Sequence, residues 1–167
     1  MSRAGIALGS NLGDRLATLS SARSEICRLP AIQEPVLASA VYETEPVGCE
    51  PGAPRFLNAV MEVGYAGDAH ALLGELRRIE ATLGRPAAHA RNTSRTVDLD
   101  LLYFADLTLA GDELQLPHPR MHERRFVLEP LRDIRPALVL PSQTKRVAEL
   151  LAELPATPPL VRVTSEW

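Results

Sequence analysis

The chain has 167 residues, enough for one domain spanning 1–167 with its own hydrophobic core. Hydrophobic residues make up 46% and charged residues 23%, the proportions of an ordinary globular protein. A formal net charge of −3 excludes the broad basic surface of a nucleic-acid binder or of a protein held on anionic lipid, so any phosphate site must be basic only locally.

Residues 5–8 read as a first strand, apolar enough to be buried on both faces. Gly9-Ser10-Asn11-Leu12-Gly13 forms a tight turn into a helix, with Asp14 or Asn11 near its start. It is neither a Walker A loop nor a dinucleotide fingerprint, and a direct ligand contact stays open as the alternative. The helix runs over about residues 14–28, with Leu16, Leu19 and Ile26 as its core stripe, and Pro30 follows its end. Residues 36–42 are β-like. Residues 44–55 form a loop dense in proline, glycine and acid. Residues 56–65 alternate Phe56, Asn58, Val60 and Glu62 against Leu57, Ala59, Met61 and Val63, the period of a strand. Asp68 caps a second helix reaching about Leu83, with Leu72, Leu73, Leu76, Ile79 and Leu83 as its stripe and Gly84 as its stop.

Residues 84–94 are polar, basic and without periodicity, hence a loop carrying Arg85 and Arg91 and leading to Arg95. Residues 97–104 are a strand. Within it Asp98 and Asp100 point to one face, and Val97, Leu99 and Leu101 to the other, which is the core side. Two neighbouring carboxylates repel, and a divalent cation with a preference for oxygen ligands, such as Mg²⁺, relieves that repulsion. Guanidiniums just upstream suit phosphate. On this segment alone, the simpler reading that both acids face water from a half-buried strand stays open.

A turn over residues 110–113 leads to Leu114-Gln115-Leu116. Pro117-His118-Pro119 is extended, and Arg120, Arg124 and Arg125 follow at once. His118 is either a solvent-exposed loop histidine or a phosphate contact. Phe126 is either core or one wall of an aromatic-ligand site. Glu80 and Arg78 read by default as a surface pair. A short helix over 121–128 ends before Pro130, a last helix covers 144–154, and a proline-rich tail follows. Cys27 and Cys49 form neither a metal-ligand spacing nor a disulfide framework, which fits a reducing cytoplasm. The N-terminal apolar run is too short for a signal peptide, and no stretch is long enough to span a bilayer. The element order is strand, helix, strand, strand, helix, strand. It predicts an α+β fold: a ferredoxin-like βαββαβ layout with an antiparallel sheet, helices packed on one face, and a C-terminal extension.

Six segments together resemble the 6-hydroxymethyl-7,8-dihydropterin pyrophosphokinase family of folate biosynthesis. They are Ile6 to Asp14, Tyr42 to Gly48, Phe56 to Val60, Arg78-Ile79-Glu80, Arg95 to Leu101, and Leu116 to Met121 continuing through Arg124 to Leu131. The resemblance covers the chain from its start to about residue 140. It implies the ferredoxin-like fold and transfer of pyrophosphate from ATP to the pterin hydroxymethyl group, with release of AMP. It also implies two Mg²⁺ ions bridged by Asp98 and Asp100. Carried over by position, Thr44, the Val47 backbone, Phe56, Asn58 and Phe126 hold the pterin, with Phe56 and Phe126 sandwiching its ring. Arg85, Arg95, His118 and Arg124 contact ATP phosphates, and Glu80 and the Leu101 backbone lie near the nucleotide. The chain departs from the family pattern at Ser94, where proline is common, and at Asn92, where some members carry tryptophan; both departures bear on the lid over the pterin. The partners implied are the small molecules ATP and the hydroxymethyl-dihydropterin, with no nucleic acid and no membrane, and a monomer is expected. The competing classes are a non-catalytic ferredoxin-like ligand-binding module and another Mg-dependent phosphotransferase.

Overall fold

The computed structural model describes residues 1–46, 51–84 and 96–167. Its elements in chain order are β1 (Ser2–Ser10), α1 (Arg15–Cys27), β2 (Ile32–Ala38), β3 (Val41–Thr44), β4 (Phe56–Tyr65), α2 (Ala69–Thr82), β5 (Asp98–Phe104), β6 (Leu109–Ala110), β7 (Gln115–Leu116), a 3₁₀ turn (Met121–Glu123), α3 (Arg125–Ile134), α4 (Val147–Glu153) and β8 (Val161–Thr164).

The sheet has the order β5-β1-β4-β3-β8, with β2 also paired to β4. Every described pairing is antiparallel. With β2 and β3 counted as one interrupted strand, this is the split-βαβ arrangement expected of the ferredoxin-like layout. The interruption falls at Ser39. Its N–H donates to the Val60 carbonyl at 2.9 Å, its Oγ accepts the Val60 N–H at 2.9 Å, and the same Oγ donates to the Ala40 carbonyl at 2.7 Å. The side chain thus replaces a ladder bond where the strand bends.

Strand alternation sorts the sheet into two faces. Ala4, Ile6, Leu8, Leu57, Ala59, Met61, Val63, Leu99 and Leu101 join one core with Leu19, Ala22 and Ile26 of α1 and Leu72, Leu76 and Ile79 of α2. The caps that bound these helices are those the sequence predicts. Asp14 Oδ1 accepts the Ala17 N–H at 3.1 Å and Asp68 Oδ1 accepts the Ala71 N–H at 2.8 Å. Gly84 adopts φ 96°, the left-handed conformation that closes α2.

The opposite face differs from the one-sided packing expected. Val60, Leu102 and Tyr103 meet Val127, Leu128 and Leu131 of α3 and Val147, Leu150 and Leu151 of α4. The C-terminal extension therefore covers the second face of the sheet. α3 also runs through Pro130 rather than stopping before it. The hydrogen bond that Pro130 cannot donate and its ring clash cost about 3 kcal/mol. Burial of Val127, Leu128 and Leu131 offsets this at about 1.5–3 kcal/mol each. The tail holds a further element not read from its prolines: β8 pairs with β3. Beyond it, Trp167 Nε1 donates to the Ser39 carbonyl at 2.9 Å and Arg23 lies 5.1 Å over the indole.

β5 contains a bulge. Ile6 pairs with Leu101 but Gly5 pairs with Tyr103, so Leu102 is the extra residue. Leu102 and Tyr103 both enter the second core, and Phe104 returns to the first, edge-on to Tyr65 at 6.4 Å between ring centroids. Tyr103 lies across Gly5 and its hydroxyl donates to the fully buried Glu62. Arg3 Nε at 3.0 Å and Arg135 Nη1 at 2.8 Å complete the carboxylate's partners. Burial and this carboxylate both push the Tyr103 hydroxyl pKa well above its ordinary value.

A Cβ at Gly5 would meet the Tyr103 ring at 2.2 Å. Gly5→Ala is therefore expected to displace a buried, hydrogen-bonded ring and to destabilise the fold by about 1–3 kcal/mol. The midpoint of urea unfolding at an unchanged slope reads this directly.

Candidate functional site

The site is built on the sheet face opposite α1 and α2. Cross-strand register sets its floor. Asp98 lies opposite Gly9, which lies opposite Asn58, which lies opposite Tyr42; one pleat away Asp100 lies opposite Ala7. Because Leu99 and Leu101 are buried in the first core, Asp98 and Asp100 emerge together on this second face, both half-buried. The residues beside them on β1 are the two smallest available. A Cβ at Gly9 would sit 3.1 Å from Asn58 Oδ1 and 3.8 Å from the Phe56 ring. The glycine leaves open the space that a side chain would fill.

That space is a cavity lined by the β1 segment Ala7–Gly9, by Thr44 and Glu45, by Phe56 and Asn58, by both aspartates, and by Arg124, Phe126 and Val127 from the start of α3. Asn58 Nδ2 donates to Thr44 Oγ1 at 2.7 Å, which fixes the amide and turns its Oδ1 toward Gly9. The Arg124 guanidinium stacks 5.5 Å from the Phe126 ring centroid. One wall is thus aromatic and cationic, one is a reading edge of amide and hydroxyl, and one end is acidic. A flat heteroaromatic ring with polar edges suits such a space.

A second cavity lies beyond the open edge of β5. Leu73, Arg77 and Glu80 of α2, Asp100 and Leu101 of β5, Glu113 of the β6–β7 turn, Gln115 of β7, and His118 line it. Asp100 lines both cavities. Glu80 does not pair with Arg78 at the surface. It is buried, its Oε1 accepts the Leu99 N–H at 2.7 Å, and Arg78 pairs with Glu75 instead. Since Leu99 turns its N–H outward to Glu80, alternation along the strand turns the Leu101 backbone toward the same edge.

His118 is half-buried. Its N–H donates to the Leu102 carbonyl at 2.7 Å, and its Nδ1 accepts the Arg120 N–H at 3.2 Å, so the neutral ring carries its proton on Nε2. Burial, then the nearby Arg124 and Arg120 charges, push its pKa down to about 4, while Asp98 pulls the other way.

Ten predicted site residues therefore divide between two joined cavities: Thr44, Phe56, Asn58, Asp98, Asp100, Arg124 and Phe126 at the first, and Glu80, Leu101 and His118 at the second, where Asp100 recurs. Val47, Arg85 and Arg95 lie outside the described residues, as do Arg91, Asn92 and Ser94. Sequence reasoning missed Gly9 and Ala7 as floor and Arg77 and Glu113 as rim. Extending the alternation of β1 through Gly9 would have found the floor. The rim pair joins residues far apart in the chain and leaves no local signal. Asp98 and Asp100 suit a hard cation, since both present oxygen donors on one face and line the first cavity. Among the described residues no group of three or more His, Cys, Asp or Glu stands ready to hold a metal alone.

At pH 7 His118 is neutral. The unfolded chain, with an ordinary histidine pKa of about 6.5, binds a proton as pH falls before the folded one does. Stability is therefore lost progressively as pH drops from about 6.5 towards 4. An NMR titration of the imidazole should give a midpoint near 4. His118→Gln should flatten the acid side of the stability profile.

The family model described as 7,8-dihydro-6-hydroxymethylpterin-pyrophosphokinase (HPPK) matches residues 5–136. A 2-amino-4-hydroxy-6-hydroxymethyldihydropteridine pyrophosphokinase of Methylorubrum extorquens is 39% identical over 154 residues, covering 92% of this chain and 94% of that one. The enzyme of the same name from Bacillus subtilis is 42% identical over 129 residues, covering 77% and 75%. A folate synthesis bifunctional protein of Arabidopsis thaliana is 38% identical over 133 residues, 77% of this chain but 26% of that longer one. Among solved structures, a Plasmodium falciparum HPPK-DHPS superposes with a TM-score of 0.72 at 13% identity, over 90% of this chain and 45% of that chain, a likeness of fold. The chain belongs to the 7,8-dihydro-6-hydroxymethylpterin-pyrophosphokinase family.

Proposed function

We infer that this chain transfers pyrophosphate from ATP to the hydroxymethyl group of 6-hydroxymethyl-7,8-dihydropterin, releasing AMP, in folate biosynthesis. The observation that carries the assignment to residues is Asp100, which belongs to both cavities, with Asp98 beside it on the same face. A ring in the first cavity and a nucleotide in the second would meet at these carboxylates.

The pterin ring lies between Phe56 and Phe126, with Asn58 and Thr44 reading its edge, and the Val47 backbone is assigned there by the family motif alone. The nucleotide lies in the second cavity against Glu80 and the Leu101 backbone, with its phosphates running toward His118 and Arg124. Arg85 and Arg95 are assigned to the phosphates by the family motif alone. Asp98 and Asp100 would hold two Mg²⁺ ions, supplying the hard oxygen donors that magnesium prefers. Magnesium there would supply charge neutralisation and acidify the attacking hydroxyl.

The hydroxymethyl oxygen attacks the β-phosphorus in line. The new O–P bond forms as the bridge to the α-phosphorus breaks, AMP leaves with that electron pair, and the hydroxyl proton passes to solvent. The nucleophile is weak and the groups are highly charged, so positioning and charge stabilisation dominate the barrier. Arg124, anchored on Phe126, brings a permanent positive charge to the rim of the ring pocket. Neutral His118 presents its Nε2–H to a phosphate oxygen without competing for a proton. We assign the whole span 1–167 to one pyrophosphokinase domain acting as a monomer, since the family match over residues 5–136 and the C-terminal helices share one core on the sheet. We place it in the cytoplasm, where its ATP co-substrate is at hand. Among the described residues no helix is long and apolar enough to cross a membrane.

Asp98→Ala and Asp100→Ala should each lower kcat by several powers of ten, on the order of 4 kcal/mol or more. The assay counts AMP against ADP with and without the pterin. AMP formed only with pterin supports the reading. ADP would indicate an ordinary kinase, no nucleotide product would indicate a binding module, and near-normal turnover in either variant would reject the metal assignment.

A further inference from the structure

We propose that Tyr42 and Asp133 are positioning residues for the pterin pocket: their hydrogen bond locks the angle of α3 against β3 and so sets the separation of Phe126 from the opposite wall.

Three observations converge. The Tyr42 hydroxyl reaches both oxygens of Asp133, at 2.9 and 3.1 Å, between β3 and α3. The Tyr42 side chain is buried in the core. Asp133 also accepts the Ala40 N–H at 3.4 Å, at the break between β2 and β3. One carboxylate thus ties α3 to the strand at two points.

The second observation is alignment along the helix. Asp133 follows Phe126 by two helical turns, so the two occupy one stripe of α3, about 10 Å apart along its axis. The third is alignment along the strand. Tyr42 and Thr44 share a face of β3, Tyr42 is the cross-strand partner of Asn58, and Asn58 donates to Thr44 Oγ1 at 2.7 Å. The tyrosine therefore stands on the strand that supplies the reading edge, and its partner stands on the helix that supplies the aromatic wall. A tilt of α3 about its second anchor, Arg135 on the buried Glu62, moves Phe126 most, because it lies at the far end of the lever. No residue of this chain of contacts lines the second cavity, and only Arg124, stacked on Phe126 at the head of α3, carries the tilt toward the phosphates, so the effect falls more on the ring than on the nucleotide.

The inference rests on the reading of Phe126 as a pterin wall, and the experiment separates the two. Affinities for 6-hydroxymethylpterin and for a non-hydrolysable ATP analogue are measured for the wild type and for Tyr42→Phe, Asp133→Ala, Asp133→Asn, the Tyr42→Phe/Asp133→Ala double variant and Phe126→Ala, with thermal unfolding confirming that each is folded. Tyr42→Phe and Asp133→Ala should each weaken pterin binding by about tenfold and raise its KM with little change in kcat, with a several-fold smaller loss for the ATP analogue through Arg124. Asp133→Asn keeps an acceptor for the hydroxyl and should stay near wild type, and the double variant should be no worse than either single change. A folded Tyr42→Phe that binds pterin as the wild type does, beside an impaired Phe126→Ala, overturns the proposal alone. Equal losses for both ligands, or additive losses in the double variant, overturn it too. A wild-type-like Phe126→Ala overturns it together with the assignment of the wall.

Discussion

The arrangement depends on one conflict resolved by burial. Asp98 and Asp100 would separate if they could, since like charges on neighbouring positions of one face repel. They cannot separate without turning Leu99 and Leu101, and these are only 4% and 3% exposed within the core under α1 and α2. Burying each leucine contributes about 1.5–3 kcal/mol, more than the repulsion of two half-hydrated carboxylates at a surface. The apolar side of one short strand thus holds an acidic pair in place on the other side. Glu80, buried against the Leu99 N–H, secures the same strand from its open edge.

Around that pair the sheet supplies absence as much as presence. Gly9 and Ala7 are the cross-strand neighbours of the aspartates, and their small size makes the floor of the first cavity. The walls come from elements remote in sequence: β3 and β4 with Thr44, Phe56 and Asn58, and the start of α3 with Arg124 and Phe126. The C-terminal extension is therefore part of the site, because the helix that covers the second core also carries the aromatic and cationic wall.

What could be read from the amino acids alone follows the range of the physics involved. The face shared by Asp98 and Asp100 follows from a two-residue period, and the bounds of α1 and α2 follow from Asp14, Asp68 and Gly84, each acting within a few residues. The fold class followed from element order, and most ligand-contact candidates from the family motif, since no local rule distinguishes a pocket phenylalanine such as Phe56 from a core one. The rest needed contacts across the chain. Burial of Val127, Leu128 and Leu131 carries α3 past Pro130, against a local rule that would stop it. β8 exists because β3 offers it an edge. Glu80 leaves its default pairing with Arg78 because burial sets its carboxylate against the Leu99 N–H on another element.

The slip in the β1–β5 ladder has a consequence for the nucleotide side. In an unbroken ladder the Leu102 carbonyl would point inward to β1; with one residue too many, it points out and accepts the His118 N–H at 2.7 Å. The imidazole is thereby hung from an irregularity two residues downstream of Asp100. Its spacing from the acidic pair is set inside the sheet, independently of the length of the hairpin that intervenes. Loops between the two can lengthen or shorten over evolutionary time while that geometry is conserved, provided the surplus leucine stays.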